Sequence, residues 1–169
     1  MSRLNVDQIY TRTGTGSPAI REMPLFSVSL GSDQTGVAGS TDTKVLFDTV
    51  GYNIGSYWDT TNKRFLPTIP GFYQFNVVLR CQVVGGVSNL MRVRLDKNGT
   101  EQASSYLQSN TNIFNNSHVT LSYLIYCNGS EYVEVVGNIS TGTTTSRSFG
   151  AFVATVGGSS FNGFLVRPD

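Results

Sequence analysis

Residues 47–75 read FDTVGYNIGSYWDTTNKRFLPTIPGFYQF, and this stretch decides the fold. Five residues separate Phe47 from Asn53, four separate Asn53 from Trp58, six separate Trp58 from Phe65, and five separate Phe65 from Gly71. Tyr73 and Phe75 then follow in strict alternation. Alternate residues of a strand share a face. Tyr73, Phe75, Val77, Leu79 and Cys81 therefore make one face, and Phe72, Gln74, Asn76, Val78 and Arg80 the other. The first set is the natural core face, since each buried aromatic contributes about 1.5–3 kcal/mol by transfer. Pro70-Gly71 sets a sharp entry into that strand.

Outward from this stretch the apolar pattern keeps a period of two, and Gly, Ser, Thr and Asn interrupt it at short intervals. Helical signals are almost absent. Predicted strands cover Leu25–Leu30, a pair of short strands Lys44–Val50 and Tyr52–Phe65, then Phe72–Val84, Leu90–Lys97, a strand through Leu107, Val119–Cys127, Tyr132–Ile139 and Phe161–Val166. Asn98-Gly99 and Asn128-Gly129 are the strongest hairpin signals, because both central residues of a type I′ turn need positive φ. They predict two hairpins. The 169 residues suit one domain. Charged residues are only 14% of the chain and the net charge is +1, so no nucleic-acid partner is expected. Arg92 and Arg94 share a strand face and read as a solvated or subunit-facing side. No 18-residue apolar run exists, so no membrane insertion is expected.

The spaced aromatics, Asn53 and Gly71 resemble the C1q-like globular head of the C1q/TNF superfamily. PLFSVSL from Pro24 and SSFNGFLVRPD at the end resemble its first and last strands, so the likeness covers residues 24–169. Val77 stands where the family has an aromatic, and residues 140–159 are long for it. The resemblance implies an all-β antiparallel jelly-roll sandwich that forms homotrimers, a binding head rather than an enzyme. Phe47, Trp58, Phe65, Tyr73, Phe75, Phe161 and Phe164 are assigned to its core and trimer contact. Some C1q-like heads hold calcium at the trimer top. Asp33 and Asp42 are the carboxylates such a site would use here, but no calcium-loop pattern is present and no cofactor is expected.

Residues 1–23 form a separate unit: Leu4 and Val6 in alternation and then Ile9 and Tyr10, enough for one short strand, followed by a Gly/Thr/Ser/Pro linker. One short strand is not stable alone. It either pairs with a partner or the domain edge, or is a disordered tail. The segment resembles the short N-terminal anchors of bacteriophage tail-fibre and virion-decoration proteins. That likeness implies docking to phage tail or baseplate proteins through residues 1–20, and a virion location after assembly in the host cytoplasm. The N-terminus does not read as a secretory signal, which agrees.

Strand parity says which end binds. With the first strand starting at a base beside the linker and directions alternating, 31–43, 82–89, 108–116 and 140–159 gather at the far end. The tight turns fall at the base. Long polar loops on a rigid scaffold are where binding resides. Gln108, Asn110, Asn112, Phe114 and Asn116 in one loop, with Thr144, Arg147 and Phe149 in another, offer amides, hydroxyls and aromatics suited to a host-surface glycan or protein. The same parity separates Cys81 from Cys127 by most of a strand, about 30 Å, against the 7 Å or so a disulfide tolerates; two free thiols are expected. His118 lacks a nucleophile elbow or triad motif, so catalytic residues are expected to be none. The expectation is a trimeric phage tail fibre or fibre tip that binds a host receptor. A cellular C1q-like lectin is the alternative and a glycan depolymerase the third reading.

Overall fold

The computed structural model describes residues 23–84, 88–109, 116–141, 146–152 and 157–169. The alternating segments become thirteen strands: β1 (Leu25–Ser29), β2 (Gln34–Thr35), β3 (Thr43–Lys44), β4 (Thr49–Ile54), β5 (Trp58–Asp59), β6 (Arg64–Phe65), β7 (Gly71–Val84), β8 (Ser88–Lys97), β9 (Thr100–Gln108), β10 (Ser117–Cys127), β11 (Val133–Thr141), β12 (Ser146–Phe149) and β13 (Ser160–Pro168). Every described pairing is antiparallel. The first sheet runs β4-β1-β13-β7-β10, with β12 and β2 continuing beside the last residues of β7. The second runs β5-β6-β11-β8-β9, and β3 also pairs with β11. The result is the expected antiparallel jelly roll.

The two sheets enclose the aromatics of residues 47–75. Phe47, Trp58, Phe65, Tyr73, Phe75 and Phe161 are buried, with Phe26 among them. The Phe26 ring stacks on Phe65 at 4.6 Å and meets Phe161 edge-on at 4.9 Å, geometries that suit ring quadrupoles. Tyr73, Phe75, Val77, Leu79 and Cys81 all face this core. Asn53 shows why the spacing to Trp58 matters. Its Oδ1 accepts from Trp58 N (2.9 Å) and its Nδ2 donates to Trp58 O (3.3 Å). The side chain thereby closes the turn at Gly55 and Ser56, both at positive φ (81° and 61°), that carries the chain from the first sheet to the second.

Three expectations need correction. Asn98-Gly99 does form its two-residue turn, at φ 50° and 76°, between paired β8 and β9. Asn128-Gly129 does not make a hairpin: β10 pairs with β7 in the first sheet and β11 with β8 in the second. Asn128 instead accepts from Ser130 N (3.0 Å) as an Asx turn, and the longer connection crosses between sheets. Lys44–Phe65 is not two short strands but four pieces, split between sheets. Residues 140–159 contain a strand, β12, and its Phe149 is fully buried, so Phe149 is a core residue and not a binding-loop one. Gly137 makes room for it; a Cβ there would stand 2.5 Å from Phe149 Cζ.

The register also fixes both ends. Gly71 pairs with Cys127 and Pro168, and Lys97 with Thr100 and Val133, at the base. Cys81 pairs with Ser117, Val84 with Ser146, Ser88 with Thr141 and Leu90 with Gln108 at the far end. Cys81 and Cys127 are free and buried at opposite ends of the β7–β10 pair. Burial pushes each thiol up to about 12. Neither thiol should react with a disulfide reagent at pH 8 in the native protein, and both should react in denaturant. The unfolded chain loses these protons near pH 9, whereas the folded chain keeps them. The thiols' contribution to stability is thus complete below pH 9 and falls as pH rises from about 9 toward 12. Urea midpoints at pH 7, 9 and 10.5 check the sign, and Cys81→Ala should flatten the decline.

Candidate functional site

Two surfaces stand apart from an ordinary solvated exterior. The first is the outer face of the β4-β1-β13-β7-β10 sheet. Register places Ile54, Leu25, Phe164, Gln74 and Leu124 in one row across five strands. Ile54, Leu25, Phe164 and Leu124 are exposed apolar side chains, and Phe72 and Val166 extend the patch toward the base. Phe164 is therefore not core, although it lies one residue from Gly163, which packs on Phe75 and Phe26. The next row is Tyr52, Ser27, Asn162, Asn76 and Ser122; beyond it lie Ser29, Ser160, Val78 and Thr120. None of these three rows carries a charged residue. An exposed apolar patch of this kind marks an interaction surface.

The second surface is the far end, organised by Arg80. This guanidinium is buried at 7% exposure on the same outer face. Its Nε donates to Asn116 Oδ1 and its Nη1 to Ala151 O (3.2 Å). Gln82 satisfies both ends of its amide when its oxygen accepts from Arg80 Nη2 (2.8 Å) and its nitrogen donates to Ser148 Oγ and Asp33 Oδ2 (both 2.9 Å). Asp33 Oδ1 accepts from Ala151 N (2.7 Å). One buried cation thus gathers the segments after β1, before β10 and after β12. A buried charge is tolerated only when hydrogen-bonded in this way. Asn116, at φ 75°, is a brace for Arg80 as well as a loop residue. Gln108 is exposed at the end of β9, and Arg147 on β12 packs its guanidinium against Gly39. Beside the hub, a groove of about 270 Å³ is lined by Leu30, Asp33, Gln34, Leu46, Asp48 and Lys63.

Leu4, Val6, Ile9, Tyr10, Asn110, Asn112, Phe114 and Thr144 lie outside the described residues. Arg80 and Asp33 were not singled out for this role from sequence; the available signal was a lone arginine ending an uncharged strand face. Asp42 stands apart from Asp33, taken up by Arg94 and by Asn138 Nδ2 (2.8 Å) on the second sheet. There Arg94 also meets Asp96 (2.7 Å), and a hydrogen bond from Arg92 holds the Glu101 carboxyl below its ordinary range. The expected arginine face is therefore a neutralised ion-pair surface. Among the described residues no group of three His, Cys, Asp or Glu is placed to hold a metal ion. His118 is exposed on β10 opposite Arg80.

The family model for the C1q domain matches residues 25–166. The chain belongs to the C1q domain family. Domains of this family are generally binding modules without enzymatic activity. A comparison with curated proteins finds no match. Among solved structures, the C1q-family chain is similar to the globular domain of zebrafish complement 1qA protein, with a TM-score of 0.57 and 15% identity over 86% of this chain and 99% of that one. It is also similar to murine APRIL at pH 5.0, with a TM-score of 0.61 and 7% identity over 86% of this chain and 100% of that one. These likenesses show the C1q/TNF-like fold.

Proposed function

We propose that this chain is the trimeric receptor-binding head of a phage tail fibre or fibre tip. Its far-end loops meet a host-surface glycan or protein, and residues 1–20 dock it to the tail or baseplate. The observation that carries the reading is the pairing of an uncharged, partly apolar sheet face with a far end pinned by Arg80. The face supports self-association round a threefold axis, since burying an apolar, uncharged patch leaves no charge without a partner and each copy of this chain supplies such a patch. The hub supports recognition, because Asp33, Asn116 and Ala151, gathered by a buried cation at the far end, give a fixed polar surface with little ordering cost on binding. The virion placement is supported by the resemblance of the N-terminal segment.

The test is adsorption to host cells. Phe114→Ala and Arg147→Ala should each lower adsorption at least tenfold, while Thr100→Ala at the base turn should leave it unchanged. Equal adsorption by all three variants overturns the choice of loops. An electron-microscopy map of the assembled particle, with residues 1–20 on a tail protein, separates this reading from a cellular C1q-like recognition protein. Incubation with host polysaccharide separates both from a depolymerase, which would shorten the glycan that a binder only retains.

A further inference from the structure

The three uncharged rows carry one chain of polar side chains whose hydrogen bonds have a direction. Gln74 Nε2 donates to the backbone carbonyls of Phe75 (3.0 Å) and Tyr123 (3.3 Å). A carbonyl only accepts, so the amide nitrogen must point there. The two hydrogens of that nitrogen are shared among these carbonyls and Ser122 Oγ (3.0 Å), and the Ser122 hydroxyl donates to Asn76 Oδ1 (2.8 Å). Asn76 Nδ2 then donates to Asn162 Oδ1 (3.1 Å). Each link sets the orientation of the next. The relay starts with an amide oxygen on Gln74 and ends with an amide NH2 on Asn162. Among the described residues neither end has a partner.

These ends lie within rows that are otherwise apolar or small, Gln74 in the row centred on Phe164 and Asn162 in the next. Apolar contact alone sets register weakly, whereas one polar group on an apolar seam can fix register and stoichiometry at some cost in stability. Covering this face with a purely apolar partner would strand both relay ends, and each stranded group is costly. A second copy of this chain offers an amide oxygen where an NH2 is left over.

We propose that the Gln74–Ser122–Asn76–Asn162 relay is the register lock of self-assembly, through which a copy of this chain is selected over other apolar sheet faces. The Asn162 NH2 of one copy donates to an acceptor of the next, and Gln74 Oε1 is the acceptor left open for it. The proposal rests on the threefold reading above and adds what selects the partner.

Native mass spectrometry of the full chain tests it. The wild-type chain should show one stoichiometry. Asn76→Leu with Asn162→Leu should associate at least as tightly, but in more than one stoichiometry. Asn162→Asp keeps the acceptor that Asn76 uses, removes the donor and adds a carboxylate charge; its association should weaken at least tenfold more than that of Ser160→Asp, which adds the same charge in the next row and keeps the donor. This isosteric variant serves if the double variant fails to fold. A double variant that keeps the single wild-type stoichiometry, or an Asn162→Asp chain that assembles as well as Ser160→Asp, overturns the lock and leaves the trimer standing. A wild-type chain that is monomeric at 100 µM, on the order of its concentration in the measurement, overturns the threefold reading itself and the lock with it.

Discussion

Phe164→Lys is expected to give a folded but monomeric head. Phe164 stands at the centre of the row Ile54–Leu25–Phe164–Gln74–Leu124 and is 42% exposed in the single chain. The protomer core does not use its ring, so a lysine there stays hydrated in the monomer and leaves the fold intact. In the proposed assembly the same ammonium is withdrawn from water on a face with no carboxylate in any of its three rows. A charge buried without a partner costs several kcal/mol. At about 1.4 kcal/mol per tenfold, association should weaken by at least a hundredfold. Light scattering should find the mass at one third of the wild-type value with an unchanged circular dichroism spectrum. An unchanged mass would show that this face is not the contact.

Phe161→Ala is expected to cost the fold about 3–5 kcal/mol, the usual loss for deleting a buried aromatic. Phe161 has 0% exposure. Its ring meets Phe26 at 4.9 Å, Phe75 at 5.7 Å and both Phe47 and Trp58 at 5.9 Å. These four come from four different strands or connections, so they cannot collapse together without shifting both sheets. Against a typical domain stability of about 5–15 kcal/mol, the loss is a large share. Urea unfolding of the Phe164→Lys monomer, with and without Phe161→Ala, measures it free of association. A loss below about 1.5 kcal/mol would mean that the cluster repacks.

Phe161 and Phe164 also show what the sequence makes legible. Period-two alternation identifies the core side of β7 correctly, because each position has only two faces to choose from. It places Phe161 inside for the same reason. Phe164 has the opposite parity and was grouped with it only through the family pattern; three residues along a strand change face. Phe149 failed in the other direction. The four residues of β12 are too few to show a period amid Gly, Ser and Thr, so a core aromatic read as a loop one. Asn128-Gly129 misled because a turn signal records local backbone geometry, not which sheet the next strand joins. Arg80 needed the third dimension. Its partners Asn116 and Ala151 are 36 and 71 residues away, and no local pattern carries that information.

The place where β1 begins has a mechanical consequence. Leu165 N donates to Pro24 O (3.0 Å), and β1 then runs away from the base between β13 and β4. A pull on the chain at Pro24, with the far end held, acts along the axis of β1. The rungs on both sides of that strand share the load in shear, instead of parting one after another as in a peeled edge strand. The domain is therefore built to bear tension along the direction from Pro24 to its far end.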